Sequence, residues 1–285
     1  MILDMNNLPI ERQTAVIAAL VEGNSIRSTV RMTGVAKDTV IKLLARIGQA
    51  CAEYQDKTPR NLPCKKIQCD EIWQFCYAKE ENVPEELRGK FGYGDTWTWT
   101  AICADTKLVP AWRVGGRDAK IACDFMNDLA GRLANRIQLT TDGYRVYLEA
   151  VECAFGSEID YAMLVKMYGN DATSETRYSP AQCIGAMATP ITGRPNPRSI
   201  STSYVERQNL TMRMSMRRFT RLTNGFSKKI ENPRHALALY FMYDNFARIH
   251  QTLRVTPAMA AGVSDHVWDL AEIVGLIRKD AEKAA

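Results

Sequence analysis

The sequence predicts a mixed α/β fold, in which a small helical bundle precedes a mixed β-sheet flanked by helices. Two observations lead to this prediction. Apolar residues recur at helical spacing over residues 8–50, which favours short helices. From residue 65 onward, β-rich segments alternate with helical segments, an order typical of a sheet that is covered by helices.

The composition is that of an ordinary globular protein. Of 285 residues, 46% are hydrophobic and 24% are charged, and the formal net charge is +5. This mild basic excess is consistent with a polyanionic partner. We expect no signal peptide, because the N-terminus has no basic segment followed by an apolar one, and no apolar run approaches the ~18 residues of a membrane span.

The eight cysteines do not form a metal-binding pattern. No Cys-x-x-Cys pair occurs, and no cysteine and histidine cluster has zinc-finger spacing. Most lie in apolar surroundings, where thiols pack as small hydrophobes. The sequence therefore predicts reduced thiols and a cytoplasmic protein.

The first 50 residues have the pattern of a helix-turn-helix. Ser25 can cap a second helix, Gly34 can make the turn, and a third helix follows. A plain three-helix bundle is the alternative. If the third helix enters the major groove, the residues near its exposed start are candidates for DNA contacts: Lys37, Thr39 and Lys42.

The predicted domains follow from changes in composition. Residues 1–52 form the helix-turn-helix domain, and the polar, proline-containing residues 53–64 form a linker. Residues 65–255 form a catalytic domain, and residues 256–285 form a C-terminal helical tail. Residues 169–202, rich in Gly, Asn, Pro, Ser and Thr, are predicted as a long inserted loop, and such loops are often functional.

The order of elements in the catalytic domain points to a known fold. Three strands, a helix, a strand, a helix and a strand follow one another, as in the ribonuclease H-like fold. Their predicted ranges are 65–77, 96–104, 108–114, 119–134, 137–141, 144–155 and 159–167. Further helices are predicted over 203–219, over 234–250 with Asn232 as a cap, and over 264–279.

Three acids are placed where an active site can form. Asp70 lies within a strand, Asp142 at the end of a later strand, and Glu206 in the first turn of a helix. Each has a structural alternative: a solvated acid beside Glu71, an Asp-Gly turn with Gly143, and an acid favoured by the helix dipole. Together, carboxylates from three elements suit Mg²⁺ or Mn²⁺, and two such ions roughly 4 Å apart can cleave a phosphodiester.

The flanking residues give these acids a more specific interpretation. The segments Cys-Asp-Glu-Ile-Trp at 69–73, Thr-Thr-Asp-Gly-Tyr at 140–144 and Tyr-Val-Glu-Arg-Gln-Asn at 204–209 resemble the acidic motifs of DDE transposases of bacterial insertion sequences. The C-terminal segments at 243–253 and 256–260 resemble the tail of such proteins. The interval between Asp142 and Glu206 is longer than in many of these relatives.

The resemblance implies a function and a set of site residues. Asp70, Asp142 and Glu206 would be catalytic ligands of two Mg²⁺ or Mn²⁺ ions, with Asn209 and His250 in supporting roles. The activity would be cleavage of transposon-end DNA and strand transfer into target DNA, by at least a homodimer on double-stranded DNA. The alternatives are a ribonuclease H-like nuclease without strand transfer and a non-catalytic DNA-binding regulator derived from a transposase.

Basic residues after Glu206 support contact with DNA, since Arg binds phosphate well. A solvated basic helix is the alternative. Arg213 and Arg217 are one turn apart on the predicted helix and would share a face. The predicted DNA-binding residues here are Arg207, Arg213, Arg217, Arg218, Arg221, Lys228 and Lys229.

Strand alternation leaves one ambiguity at Asp70. Successive strand residues point to opposite faces, so Asp70 shares a face with Gln68 and Glu71 shares the other with Cys69 and Trp73. Alternation does not say which acid is the ligand. The family resemblance selects Asp70.

Overall fold

A computed structural model describes residues 8–169, 182–220 and 225–283 of the chain. Within these residues no helix combines the length and the apolar character that a membrane crossing requires. All eight cysteines are free thiols, and five of them are buried. Burial of these five agrees with the prediction that most thiols pack as small hydrophobes.

The N-terminal part is helical: α1 spans Ile10–Val21, α2 Ile26–Thr33 and α3 Lys37–Lys57. The Ser25 hydroxyl accepts the Ser28 N–H at 3.0 Å and caps α2, and Gly34, with a φ of 66°, ends it. Residues 53–57 of the predicted linker are helical, because α3 continues through Lys57. Good helix formers fill its last turns, and Pro59 follows only after the helix has ended.

A six-stranded mixed sheet forms the centre of the remainder. Its strands are β1 (Lys66–Cys76), β2 (Gly94–Cys103), β3 (Trp112–Gly115), β4 (Ile137–Thr141), β5 (Ile159–Gly169) and β6 (Gln182–Thr192). They lie in the order β3-β2-β1-β4-β5-β6, with β4 and β5 parallel to β1 and the other pairs antiparallel. This arrangement confirms the predicted mixed α/β class and is consistent with a ribonuclease H-like fold.

β6 corrects the prediction that residues 169–202 are a loop. It pairs with β5 and is the last strand of the sheet. Pro190 lacks a backbone donor and is tolerated there because only one side of the strand is paired. The prediction for residues 170–181 lies outside the described residues.

Six more helices follow: α4 (Ala119–Ala130), α5 (Val146–Phe155), α6 (Ser203–Ser215), α7 (Glu231–Met242), α8 (Pro257–Ala260) and α9 (Leu270–Lys283). Helices pack against both faces of the sheet. Trp99, on the Glu71 face, contacts Phe125 of α4 and Tyr147 of α5, with ring centroids 6.1 and 5.4 Å apart. On the Asp70 face, Trp112 stacks on Phe241 of α7 at 5.6 Å.

The predicted bounds of three helices are wrong. The helix predicted over 203–219 ends at Ser215, because the extended Met216 interrupts it before a 3₁₀ turn at Arg217–Phe219. The next helix begins at Glu231, with Ile230 rather than Asn232 at its cap. It ends at Met242 and is followed by a π-turn. The last helix begins at Leu270, six residues after the predicted start.

α3 packs closely against α7 and thereby joins the N-terminal helices to the sheet. The Gln55 side chain donates to the Ala238 carbonyl at 2.9 Å. Gly48 permits the close approach, because a Cβ at this position would lie 2.5 Å from the Cα of His235. The buried residues of these helices and of the sheet form one continuous core. The domain boundaries at residues 52, 64 and 255 stay a prediction.

Candidate metal centre

Asp70 and Asp142 lie side by side where two parallel strands separate. β1 and β4 pair from Lys66–Gln138 to Cys69–Thr141, and each acid is the residue after the last pair. β4 ends there while β1 continues to Cys76, so the two strands separate at Asp70. Sites of open α/β sheets form at such strand ends. The sequence predicted Asp70 within a strand and Asp142 at the end of a later strand.

One carboxylate oxygen from each of Asp70, Glu71 and Asp142 lies within 4.8 Å of the other two. Because these are hard anionic oxygens from two strands, they fit the ligand preference of Mg²⁺ or Mn²⁺. The group differs from the predicted ligand set, since it contains Glu71 in place of Glu206.

Asp70 is fixed by two hydrogen bonds. Its Oδ2 accepts from the Asn209 side-chain amide at 2.8 Å, and its Oδ1 accepts the Glu71 N–H at 2.8 Å. Burial, followed by the charge of Asp142, raises the pKa of Asp70 to about 7. A nearby cation stabilises the ionised form of such a carboxyl group, because it offsets both the burial and the repulsion by Asp142.

Asp142 and its neighbours form a tight turn after β4. Its Oδ1 accepts the Tyr144 N–H at 2.9 Å, and its carbonyl accepts the Thr141 hydroxyl at 2.9 Å. The turn interpretation of Asp142-Gly143 and the ligand interpretation are therefore compatible. One oxygen holds the turn, and the other is available to the cleft.

Gln68 of β1 fixes the start of α6 to the strand. The side-chain oxygen of Gln68 accepts the N–H groups of Tyr204 at 2.8 Å and Val205 at 3.2 Å, which belong to the first turn of α6. Because Gln68 and Asp70 share a face of β1, this contact brings the first turn of α6, and with it Glu206, toward Asp70.

Glu206 lines the same cleft as Asp70 and Asp142, but it has other partners. Its Oε2 accepts from the Lys166 ammonium at 2.5 Å, and its Oε1 accepts from the Thr202 hydroxyl at 2.6 Å. The structure therefore brings two of the three predicted ligands into one cluster. The third lines the same cleft but is in an ion pair with Lys166 of β5.

Glu71 is the site residue that sequence reasoning left aside. Its side chain is 1% exposed, its Oε2 accepts from the Arg117 Nε at 3.2 Å, and its Oε1 is buried without a hydrogen bond. Burial raises the pKa of Glu71 to about 7. In the sequence, Glu71 stands out by its position directly after Asp70. Strand alternation alone does not decide which of these two acids is the ligand.

The cleft between these residues has a volume of about 630 Å³. Acidic and basic side chains both line its wall, and the basic ones suit a polyanionic ligand. The basic residues of the wall are Arg117, Lys166 and Arg213.

The predicted DNA-binding residues fall into three groups. Those at the start of α3 are exposed, as are Arg207, Arg213, Arg217, Lys228 and Lys229. Arg213 and Arg217 do not share a helix face, because α6 ends between them. Arg218 is half-buried and donates to the Ser227 hydroxyl at 2.9 Å, and its burial lowers the pKa to about 10. Arg221 lies outside the described residues.

The two predicted supporting residues are placed differently. Asn209 is buried and contacts Asp70 directly. His250 does not line the cleft; its Nε2 lies 3.6 Å from Asp244 Oδ1. Asp244 in turn accepts from the Gln208 side chain at 3.0 Å.

Among known proteins, the similarity lies in solved structures of low sequence identity. No family model and no curated protein matches the chain. Similar solved structures include a chain of the simian T-cell lymphotropic virus intasome in complex with PP2A regulatory subunit B56 gamma, with 13% identity, a TM-score of 0.38, and coverage of 83% of this chain and 70% of that one. Another is the piggyBac transposase synaptic complex with hairpin DNA, with 10% identity, a TM-score of 0.39, and coverage of 96% and 72%. Likeness at this level identifies no family and no residue role.

Proposed function

We propose that this protein is a DDE-type DNA transposase that cleaves transposon-end DNA and joins it to target DNA. The observation that carries the proposal is the convergence of Asp70 and Asp142 at the ends of β1 and β4, in a cleft that Glu206 of α6 also lines. Carboxylates at this place in a cleft with basic walls suit metal-dependent reactions of phosphodiesters.

Asp70 and Asp142 would hold divalent ions, with Glu71 beside them and Glu206 reached by exchange of its Lys166 partner. When bound, two such ions supply activation of the attacking hydroxyl and stabilisation of the leaving oxygen. Asn209 orients Asp70 by its hydrogen bond. Gln68 positions α6, so the wall that carries Glu206 is fixed to the same strand as Asp70.

The remaining surfaces would bind the DNA that the cleft cleaves. Lys37, Thr39 and Lys42 are exposed at the start of α3, after a turn at Gly34, as in a helix-turn-helix that reads the major groove. Exposed Arg and Lys residues after Glu206 would contact phosphates. Joining two ends requires both to be present, so we include at least a homodimer on DNA.

The test uses the DNA ends of the protein's own genetic element. The protein is incubated with a pre-cut end, a target plasmid and Mn²⁺, and joined products are measured for the wild type, for Asp142→Asn, and for Asp95→Asn as an exposed control on β2. We expect joining by the wild type and the control but not by Asp142→Asn. Equal joining by all three, or none by the wild type when end binding is verified, contradicts the proposal. Cleavage of uncut end DNA by a protein that does not join the pre-cut end indicates a nuclease.

A further inference from the structure

Arg117 is a basic residue of the cleft that lies outside the predicted DNA-binding set. It follows β3, immediately before α4, and lines the cleft with Asp70 and Asp142. The next residue, Asp118, caps α4 by accepting the Ile121 N–H at 3.0 Å. The start of a helix therefore fixes the backbone at this position.

The guanidinium group of Arg117 is held by three side chains. Its central carbon lies 4.6 Å from the ring centroid of Trp97 and 4.1 Å from that of Tyr144. Its Nε donates to Glu71 at 3.2 Å, and its carbonyl accepts the Tyr144 hydroxyl at 2.8 Å. A side chain held in this way loses little conformational freedom when it binds a ligand.

The outer edge of the guanidinium group is available. Among the described residues, its two terminal nitrogens have no hydrogen-bond partner, and the side chain is 36% exposed. An ion pair with Glu71 uses only the Nε. The terminal nitrogens retain the fork that binds two oxygens of a phosphate.

The charges around Arg117 identify the kind of ligand that fits. A phosphodiester entering the cleft meets the carboxylates of Asp70, Asp142 and Glu206, which repel it. Lys166, another cation of the wall, is already paired with Glu206. Arg117 lies on the opposite side of β1 from α6 and is held by Glu71, so it offers a fixed positive charge close to the acids.

We propose that Arg117 binds the non-bridging oxygens of one DNA phosphate in the cleft, at or next to the phosphodiester that is cleaved, and that Glu71, Trp97 and Tyr144 hold it in position for this contact. The inference rests on the proposed function. It adds a substrate-binding residue that belongs to neither the acidic cluster nor the basic segment after Glu206.

The experiment combines variants of Arg117 with DNA in which single phosphates are replaced by neutral methylphosphonates. Arg117→Lys keeps the charge beside the buried Glu71, so it is expected to fold, but it lacks the fork; Arg117→Ala removes both. Arg113→Ala is the matched control, because Arg113 on β3 is 39% exposed and paired with Asp124 at 3.5 Å but does not line the cleft. The measurement is the rate of end cleavage with Mn²⁺.

We expect Arg117→Ala to slow cleavage about 10- to 100-fold and Arg117→Lys about tenfold, the range for loss of a charged hydrogen bond. Arg113→Ala should retain the wild-type rate within about twofold. One methylphosphonate near the cleavage position should slow the wild type strongly and Arg117→Lys much less, because that contact is already lost. This non-additivity is the signature of a direct contact.

Failure of the proposed function and failure of the Arg117 contact give different experimental results. Absence of cleavage by the wild type contradicts the proposed function and removes the inference with it. Cleavage by the wild type with an equal rate and an equal methylphosphonate profile for Arg117→Lys overturns the inference alone. A loss of rate in Arg117→Lys that is uniform over all phosphates also overturns it, since this indicates only a structural role. If Arg117→Ala does not fold, the Arg117→Lys comparison decides.

Discussion

The two faces of β1 carry neighbouring acids that have opposite surroundings. Asp70 faces α6, lines the cleft and is held by the neutral amide of Asn209. Glu71 faces α4 and α5, is closed to solvent and is held by the charged Arg117. Burial raises the pKa of both acids to about 7, so burial alone does not distinguish them. Their partners and their access to the cleft do.

This difference indicates two roles for one dipeptide. An acid that is open to a cleft and held by a neutral donor keeps its negative charge available to a cation. An acid that is closed off and paired with an arginine orients that arginine instead. Under the proposed function, we therefore expect Asp70 to be the main metal ligand and Glu71 to position Arg117.

The largest effect is expected for Asp70→Asn. Replacement of an anionic ligand by a neutral amide weakens metal binding, and metal ions contribute several kcal/mol of transition-state stabilisation. We expect the rate of end cleavage with Mn²⁺ to fall on the order of 10³-fold. Asp95→Asn, at an exposed position of β2, should leave the rate unchanged. If Asp70→Asn retains full activity while Glu71→Gln abolishes it, the roles of the two acids are reversed.

A smaller effect is expected for Glu71→Gln. The amide keeps the shape of the side chain but loses the charge that holds Arg117, so cleavage should fall about thirtyfold, comparable to loss of Arg117 itself. Glu149→Gln on the exposed face of α5 is the control. A double variant, Glu71→Gln with Arg117→Lys, should be less than additive if the two residues act together. Full additivity would show that they act independently.

Asn209→Ala should lower cleavage about tenfold, because Asp70 loses the hydrogen bond that orients it. Gln208→Ala is the matched control on α6. Gln208 is also buried, but it bonds to Asp244 and Tyr240 and does not reach the cleft. Its replacement should reduce the free energy of unfolding and change cleavage by less than Asn209→Ala does. The reverse ranking in cleavage would contradict the role of Asn209.

The smallest effect concerns stability of the metal-free protein. The pKa of Asp70 rises from 3.8 to about 7 on folding, so between these values the folded chain binds more protons than the unfolded chain. Stability is therefore lost as the pH rises from about 4 through about 7. Asp70→Asn removes this loss, and we expect it to raise the free energy of unfolding by on the order of 1 kcal/mol at pH 8 and by less at pH 5.

Urea denaturation in the presence of a chelator measures this difference at both pH values. Glu81→Gln, an exposed acid in a 3₁₀ turn, is the control and should show no such dependence. Destabilisation by Asp70→Asn at pH 8 would mean that the carboxylate is stabilised by its surroundings rather than strained by them.

The elements that the sequence predicted well are those with strong local patterns. β1, β4 and α5 were found within two residues of their observed bounds, and the position of Asp142 at the end of β4 followed from this. The missed elements depend on tertiary contacts. β6 contains Gly185 and Pro190 and has little strand character of its own; its pairing with β5 makes it a strand.

The same reason explains which parts of the site were missed. Glu71 and Arg117 are 46 residues apart in the chain, and their contact depends on the register of β1 with β2 and on the loop before α4. The pairing of Glu206 on α6 with Lys166 on β5 likewise joins residues that are 40 apart in the chain. A sequence pattern contains the residue types of these pairs, but it does not contain the distance between them.

Direct measurement of metal binding tests the central claim, that Asp70 and Asp142 form the core of a divalent-cation site. Binding of Mn²⁺ to the protein on its end DNA can be titrated by electron paramagnetic resonance for the wild type, Asp70→Asn, Asp142→Asn and Asp95→Asn. We predict binding to the wild type and to Asp95→Asn, and affinity at least tenfold weaker in the two cleft variants. Unchanged Mn²⁺ affinity in Asp70→Asn and Asp142→Asn would contradict the account.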